Sequence, residues 1–369
     1  MESVDVIMQN KKWQVNYNAL IILGTFLLQL CFPVITVQAN PIPFDCSYDP
    51  QVEDLLNQTT QDTWSDWIRQ LSGADPVTLN EESVTIATRY SFSLFDGSSN
   101  ARAYDFVKET LLNWYNADQI EEDEFSYNST ITWKNLILTI PGDTNPEDII
   151  IVSAHLDSRS ENDSSSRILA PGAEDNGSGS AALLEAARIL QNQSRPRTIK
   201  LIWFTGEEQG LLGSYAYTND HDLSAVLGVI NLDMYGYDSN DDGCFEMHVG
   251  RLTQSNKVGL CMARVIDAYG IPLSYDYLTT TATGRSDHYP FWQKQIGAIE
   301  ILENYSNNNL PGGCIGSDPN PNYHKVTDTI DKLNLPVGYN ITRAALAAAL
   351  SMAGEQPIIY SQYFPVISR

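Results

Sequence analysis

Apolar residues in this chain fall into two alternating patterns. Residues 149–154, 199–205, 227–232 and 297–302 are short, nearly unbroken apolar runs, as expected of strands covered on both faces. Between them the apolar positions spread to helical spacing. Residues 101–116 carry Tyr104, Phe106, Val107, Leu111, Leu112 and Tyr115, which predicts an amphipathic helix. Further helices are predicted over 177–190, 255–268 and 337–353, a leading helical segment over 51–71, and a strand over 130–140 that ends at the turn Pro141-Gly142-Asp143. Strands alternating with helices predict an α/β fold: a mixed, mostly parallel central β-sheet flanked by helices on both faces. Ligands of such sheets gather beyond the carboxyl ends of the strands.

The amino-terminal pattern is different. Lys11 and Lys12 precede an apolar run from Ala19 to Ile35, and Val37-Gln38-Ala39 supplies small side chains at the cleavage positions. Residues 1–39 therefore read as a signal peptide, with a retained anchor helix as the alternative. Secreted or periplasmic localisation follows, with no membrane association after cleavage. Cleavage leaves Cys46, Cys244, Cys261 and Cys314. An exported protein with four cysteines can form two disulfides in any of three pairings, the alternative being four buried thiols. Six Asn-x-Ser/Thr sequons, at Asn57, Asn128, Asn162, Asn192, Asn304 and Asn340, are candidates for glycosylation, while a seventh match at Asn176 sits inside a candidate site and is read as chance. Composition excludes two classes. With 22 Lys+Arg against 46 Asp+Glu, a net charge of −24 and 43% hydrophobic residues, the chain is too apolar for disorder and too acidic to bind nucleic acid.

The acidity is concentrated where chemistry is expected. The first buried run ends in His155-Leu156-Asp157, the second leads into Gly206-Glu207-Glu208, and the third into Asp233; Glu174-Asp175-Asn176 opens a helix between the first two. Carboxylates gathered at one sheet edge repel one another unless cations neutralise them. Two His and three carboxylates suit zinc, and two divalent ions are balanced by three carboxylates and a bridging hydroxide. The second His is expected from Tyr323-His324-Lys325, whereas His221 and His248 lie in segments that suggest no such role. Of the adjacent pair Glu207-Glu208, one can bind metal while the other faces the water as a general base.

These motifs resemble the co-catalytic dizinc exopeptidases of clan MH, specifically the secreted aminopeptidase branch. The matching segments begin at Ser153-Ala154-His155, Gly172-Ala173-Glu174, Phe204-Thr205-Gly206, Asn231-Leu232-Asp233, Gly284-Arg285-Ser286 and Tyr323-His324-Lys325, in family order. The resemblance implies a zinc exopeptidase-like (phosphorylase/hydrolase-like) fold and two zinc ions per chain. One ion would be held by His155 and Asp233, the other by Glu208 and His324, with Asp175 bridging. Asp157 would accept the outer N–H of His155, and Glu207 would be the general base. Asp287 and His288 would be supporting residues, with a capped helix start as the plainer alternative, and Tyr305 or Tyr323 could stand near the oxyanion. The expected organisation is an N-terminal helical segment over 40–82, a catalytic domain over 83–355 and a tail over 356–369. The expected activity is monomeric removal of N-terminal amino acids from peptides with a free N-terminus. Alternatives are a carboxypeptidase or glutaminyl cyclase on the same scaffold, or a non-catalytic receptor-like domain.

Overall fold

Side chains alternate across a strand with period two, so a strand that is apolar at consecutive positions must be covered on both sides. The central strands show this directly. Ile150, Val152, Ile199, Leu201, Trp203, Ile230 and Leu232 enter one apolar cluster, while Ile151, Ile202, Phe204 and Val229 enter a second one. The computed structural model describes residues 44–93 and 99–354; the expected signal peptide and tail lie outside these.

The strands are β1 (Val77–Leu79), β2 (Glu82–Val84), β3 (Ile120–Ser126), β4 (Thr132–Ile140), β5 (Asn145–His155), β6 (Arg197–Phe204), β7 (Val226–Leu232), β8 (Cys244–His248), β9 (Ser274–Leu278) and β10 (Ala298–Glu303). The helices are α1 (Pro50–Leu56), α2 (Gln61–Leu71), α3 (Ser99–Leu112), α4 (Asp163–Ser166), α5 (Gly179–Ile189), α6 (Leu212–Asp220), α7 (Thr253–Ala268), α8 (His288–Gln293) and α9 (Leu335–Met352). β1 and β2 form a hairpin, and the other eight strands form one sheet in the order β3-β4-β6-β5-β7-β10-β8-β9. Its centre, β6-β5-β7-β10, is parallel throughout. Antiparallel pairs join β4 to β6, β3 to β4 and β8 to β10. From β5 the chain passes to β6 on one side and then to β7 on the other, which makes the carboxyl end of β5 the switch point where ligands of open sheets sit.

Several elements depart from the sequence pattern for identifiable reasons. The expected helical segment 51–71 is two helices, because Thr60 starts a new one: its Oγ1 accepts from Thr63 N at 3.0 Å and its own N–H donates to Thr63 Oγ1 at 3.3 Å, a reciprocal cap. Both helices bury side chains, among them Val52, Leu56, Trp64 and Ile68, in the same cluster as α5 and α9. β3, Ile-Glu-Glu-Asp-Glu-Phe-Ser, has no apolar run because it is an edge strand with most of its side chains at least partly exposed. β8 is wholly buried although it contains Glu246 and His248, which bond to each other at 2.9 Å.

The cysteines form Cys46–Cys261 and Cys244–Cys314, one of the three pairings left open by sequence and the mark of a non-cytosolic protein. The first ties the amino-terminal segment to α7, and the second ties β8 to the loop after β10. No helix among the described residues is long and apolar enough to cross a membrane. Among the sequons, Asn304 is 3% exposed, so the folded chain cannot offer it for glycosylation. Replacing Cys244 and Cys314 with Ser opens a link between residues 70 apart. The expected cost is about 2–4 kcal/mol, read as a fall of several degrees in the calorimetric midpoint.

Candidate active site

Each parallel strand delivers an acid or an imidazole to the same edge. His155 is the last residue of β5, Asp233 follows β7, and Glu207 and Glu208 occupy the turn after β6. Asp175 lies in a π-helical turn, Ala173–Ser178, that leads into α5, and its peptide bond to Asn176 is cis. Asn176 is fully buried; its side-chain amide donates to Leu232 O at 2.8 Å and its carbonyl accepts from Gly179 N at 2.9 Å. His324 comes from the loop before α9, with its backbone in the left-handed region at φ 53°.

These residues meet in two adjoining groups, His155-Asp175-Asp233 and Asp175-Glu208-His324. His155 Nε2 stands 3.3 Å from Asp175 Oδ1 and 3.1 Å from Asp233 Oδ1. His324 Nε2 stands 3.1 Å from Asp175 Oδ2 and 3.0 Å from Glu208 Oε2. Asp175 thus turns one oxygen to each imidazole. His155 Nδ1 is 3.0 Å from the Asp157 carbonyl oxygen, an acceptor only, so Nδ1 carries a proton. In the neutral ring Nε2 then presents a lone pair to two carboxylates. That arrangement is repulsive without a cation between the atoms. Ligands bound 2.0–2.2 Å from one tetrahedral ion stand about 3.3–3.6 Å apart, close to the separations observed. Glu208 Oε1, buried and without a hydrogen-bond partner, is a further oxygen that an ion would satisfy. The residues therefore fit two divalent ions sharing Asp175.

Titration in the absence of metal points the same way. The surrounding carboxylates raise the pKa of His155 well above the usual value against the opposing effect of its burial. Burial likewise opposes the rise of His324 to about 10, which is driven by bonds to Asp175 and Glu208. The Glu208 carboxyl is pushed up to about 7 by burial and by Asp175. Asp175 is buried too, yet the two imidazoles depress its pKa. Protons thus collect where ions would sit. Among the described residues none hydrogen-bonds to the side chain of Glu207, which faces the cavity beside Asp175 and Asp233. Burial, with Asp233 and Glu208 nearby, raises its pKa well above the usual carboxylate value.

Asp157 plays a different part from the expected one. Its carboxylate lies 3.7 Å from His155 Nδ1, too far for a hydrogen bond, and it is the backbone carbonyl of Asp157 that accepts that N–H. Instead, Oδ1 accepts from Gly206 N at 3.0 Å and Glu207 N at 3.3 Å, and Oδ2 from Glu208 N at 3.2 Å and Ser91 Oγ at 3.2 Å. The carboxylate therefore fixes the turn that carries Glu207 and Glu208. The physical reason is that a turn entering from a strand leaves successive N–H groups unpaired, and a buried anion satisfies three of them.

Asp287 and His288 lie close to the site; Asp287 occupies the N-cap position of α8, but its side chain makes no capping bond. It accepts from Ser214 Oγ at 2.5 Å, its other oxygen has no partner, and burial lifts its pKa to about 7. Tyr305 and Tyr323 both line the cavity, and Tyr323 stacks on His324 at 3.7 Å between centroids. His221 bonds to Asp123 at 3.2 Å away from the site; His248 lines the cavity but belongs to neither group of candidate ligands. Two supports were not apparent in the sequence pattern. Arg89, fully buried, donates to the carbonyls of Leu71, Leu156, Pro171 and Gly172 at 2.7–2.8 Å, bracing the loops behind Asp157 and Asp175. Asp328 accepts from Glu174 N and Asp175 N at 3.1 and 3.2 Å. Only its place four residues after His324 could have drawn attention to Asp328.

Residues 135–349 match Peptidase family M28. Leucine aminopeptidase 2 of Trichophyton rubrum is 30% identical over 244 residues, which cover 62% of this chain and 46% of that protein; the chain spans about half the length of such relatives. The LapA aminopeptidase of Legionella pneumophila shares the fold, with a TM-score of 0.67 at 22% identity over 89% of this chain and 80% of its own. BSAP, a zinc aminopeptidase from Bacillus subtilis, aligns with a TM-score of 0.50 at 27% identity, covering 62% of this chain and 52% of that one.

The raised pKa values of His324 and Glu208 give metal-free protein a defined pH response. Both groups bind a proton more tightly when folded, so their stabilisation is full below the unfolded values of about 6.5 and 4.5 and is lost as pH rises through about 10 and 7. The thermal midpoint of chelator-treated protein is expected to fall between pH 6.5 and 9, and the fall to be abolished by reloading a divalent ion.

Proposed function

The chain belongs to peptidase family M28, and from that premise we propose that it is a secreted aminopeptidase using two zinc ions to hydrolyse the N-terminal bond of peptides. The observation that carries this reading is Asp175, whose two oxygens face the imidazoles of His155 and His324 at 3.3 and 3.1 Å. His155 and Asp233 would hold one ion, Glu208 and His324 the other, and Asp175 both. Zinc bound there supplies Lewis-acid polarisation of the scissile carbonyl and lowers the pKa of water toward neutrality.

The chain's own residues supply the rest. Glu207, held by the Asp157-braced turn and facing the cavity, takes the proton from water and returns it to the leaving amine. Neighbouring cations would lower its raised pKa and leave it ionised for that first transfer. The carbonyl of Asp157 fixes the tautomer of His155, which directs Nε2 to the ligand position. The acidic surround favours a substrate that presents a protonated α-amine, which fits trimming from the amino end. Secretion is supported by the two disulfides and by the amino-terminal pattern of the sequence.

Glu207→Gln keeps the shape of the side chain and removes the base. The expected outcome is wild-type zinc content by elemental analysis with turnover reduced at least about a hundredfold; near wild-type turnover in the metallated variant would remove Glu207 from this role. Aminoacyl reporters should be cleaved and their N-acetylated counterparts spared, with activity lost to chelator and restored by zinc. Equal cleavage of blocked and free reporters would reject the aminopeptidase reading. Release of C-terminal residues, or cyclisation of N-terminal Gln without chain shortening, would reassign the scaffold to the carboxypeptidase or glutaminyl cyclase alternative.

A further inference from the structure

The cavity beside the proposed metal positions has a volume of about 430 Å³, within the range of small-molecule sites. Its walls include Met234, Leu278 and Leu302, which suit an aliphatic stem. Two carboxylates, Glu246 and Glu300, also line it, and they differ in what satisfies them. Glu246 is fully bonded: Oε1 accepts from Ser306 N at 2.6 Å and Asn308 Nδ2 at 2.9 Å, and Oε2 from His248 Nε2 at 2.9 Å. His248 Nδ1 accepts from Thr283 N at 3.0 Å, so the ring is the neutral tautomer with its proton on Nε2. Glu246 is thus satisfied within the protein by neutral partners.

Glu300 is 2% exposed and its Oε2 has no hydrogen-bond partner. The nearest imidazole, His288, lies 3.6 Å away and spends its Nε2 proton on Thr283 O at 2.9 Å. Burial holds His288 at a pKa of about 3, so this ring offers no positive charge. Among the described residues lining the cavity, Arg285 is exposed at the rim and leaves the interior acidic. A buried carboxylate without a partner is costly; burial, with Asp233 and Glu246 nearby, raises the Glu300 pKa well above the usual carboxylate value, and a cation brought in by the substrate would restore its charge and give Oε2 the partner it lacks.

Resting on the aminopeptidase reading above, we infer that this cavity receives the side chain of the N-terminal residue and selects lysine or arginine, with Glu300 as the group that meets the cationic end and Glu246 adding to the field. The aliphatic walls take the methylene stem while the charged head reaches the carboxylates, the usual division of a long basic side chain. A residue of the same length without the charge leaves Glu300 unpartnered.

The test is a panel of aminoacyl reporters with matched pairs: lysine against norleucine, and arginine against citrulline. In the wild-type protein kcat/KM for the basic member of each pair should exceed the neutral member by about tenfold or more, the scale of a charge-assisted hydrogen bond. Glu300→Gln should bring the lysine-to-norleucine ratio close to one. The wild-type pairs decide the matter by themselves if the variant does not fold. Equal or inverted ratios in wild-type protein that cleaves leucine reporters would overturn the pocket assignment while leaving the aminopeptidase reading intact. An unchanged ratio in Glu300→Gln, with both members slowed alike, would also overturn it and give Glu300 to the α-amine or to packing. No cleavage of any reporter with a free amino group would overturn both readings.

Discussion

Electrostatic repulsion at the carboxyl end of the sheet is the constraint to which the surrounding architecture answers. Asp175, Asp233 and Glu208 converge on two imidazoles at separations of 3.0–3.3 Å, in a region where water is largely excluded and interactions between charges are strong. Nothing in that arrangement is stable without positive charge. Protons supply it when metal is absent, which is why the imidazoles hold theirs so tightly, and the proposed divalent ions would take their place. The framework is correspondingly stiff: Asp328 grips the Asp175 loop, Asp157 the Glu207-Glu208 turn, and Arg89 the carbonyls behind both.

Such supports are mostly backbone contacts, which is why the apolar runs point to the residues gathered at the sheet edge but not to their scaffolding. His155, Glu208, Asp233 and the Asp175 turn follow apolar runs that specify buried strands or precede a helix of plain periodicity, and His324 follows from the need for one more ligand. The parallel centre of the sheet was legible for the same reason. The edges were not. β3 is acidic because one face meets solvent, and β8 conceals Glu246 and His248 in the interior because they satisfy each other. The role of the Asp157 carboxylate could not be read from spacing, since the acceptor of an imidazole N–H two residues away can be either its side chain or its carbonyl. Arg89 lies at a polar position of an alternating segment, Val84-x-Ile86-x-x-x-Tyr90-x-Phe92, which gives no sign of its burial, and its partners are carbonyl groups that any sequence would provide. The resemblance to dizinc exopeptidases points to residues that the fold brings together, and the geometry gives their contacts.

The two halves of the sheet differ in how they are held. β5, β6 and β7, which position the proposed ligands and base, owe their places to hydrogen-bonded ladders and the apolar layers on either side. β8 is tied by Cys244–Cys314 to the loop after β10, which contributes Ser306 and Asn308 to the partners of Glu246. The side of the cavity formed by β8 and the loop after β10 is therefore covalently fastened, while Glu300 and Leu302 on β10 and the edge that carries the proposed ligands rest on the packed sheet.

This partition has an evolutionary reading. In the proposed pocket, the loop after β10 that supplies Ser306 and Asn308 can change in length or charge while β5, β6 and β7, which carry the proposed ligands and base, keep their ladders. A lineage built on this plan can thus alter its diet by remodelling one flank of the molecule, while the hydrolytic apparatus passes from ancestor to descendant untouched.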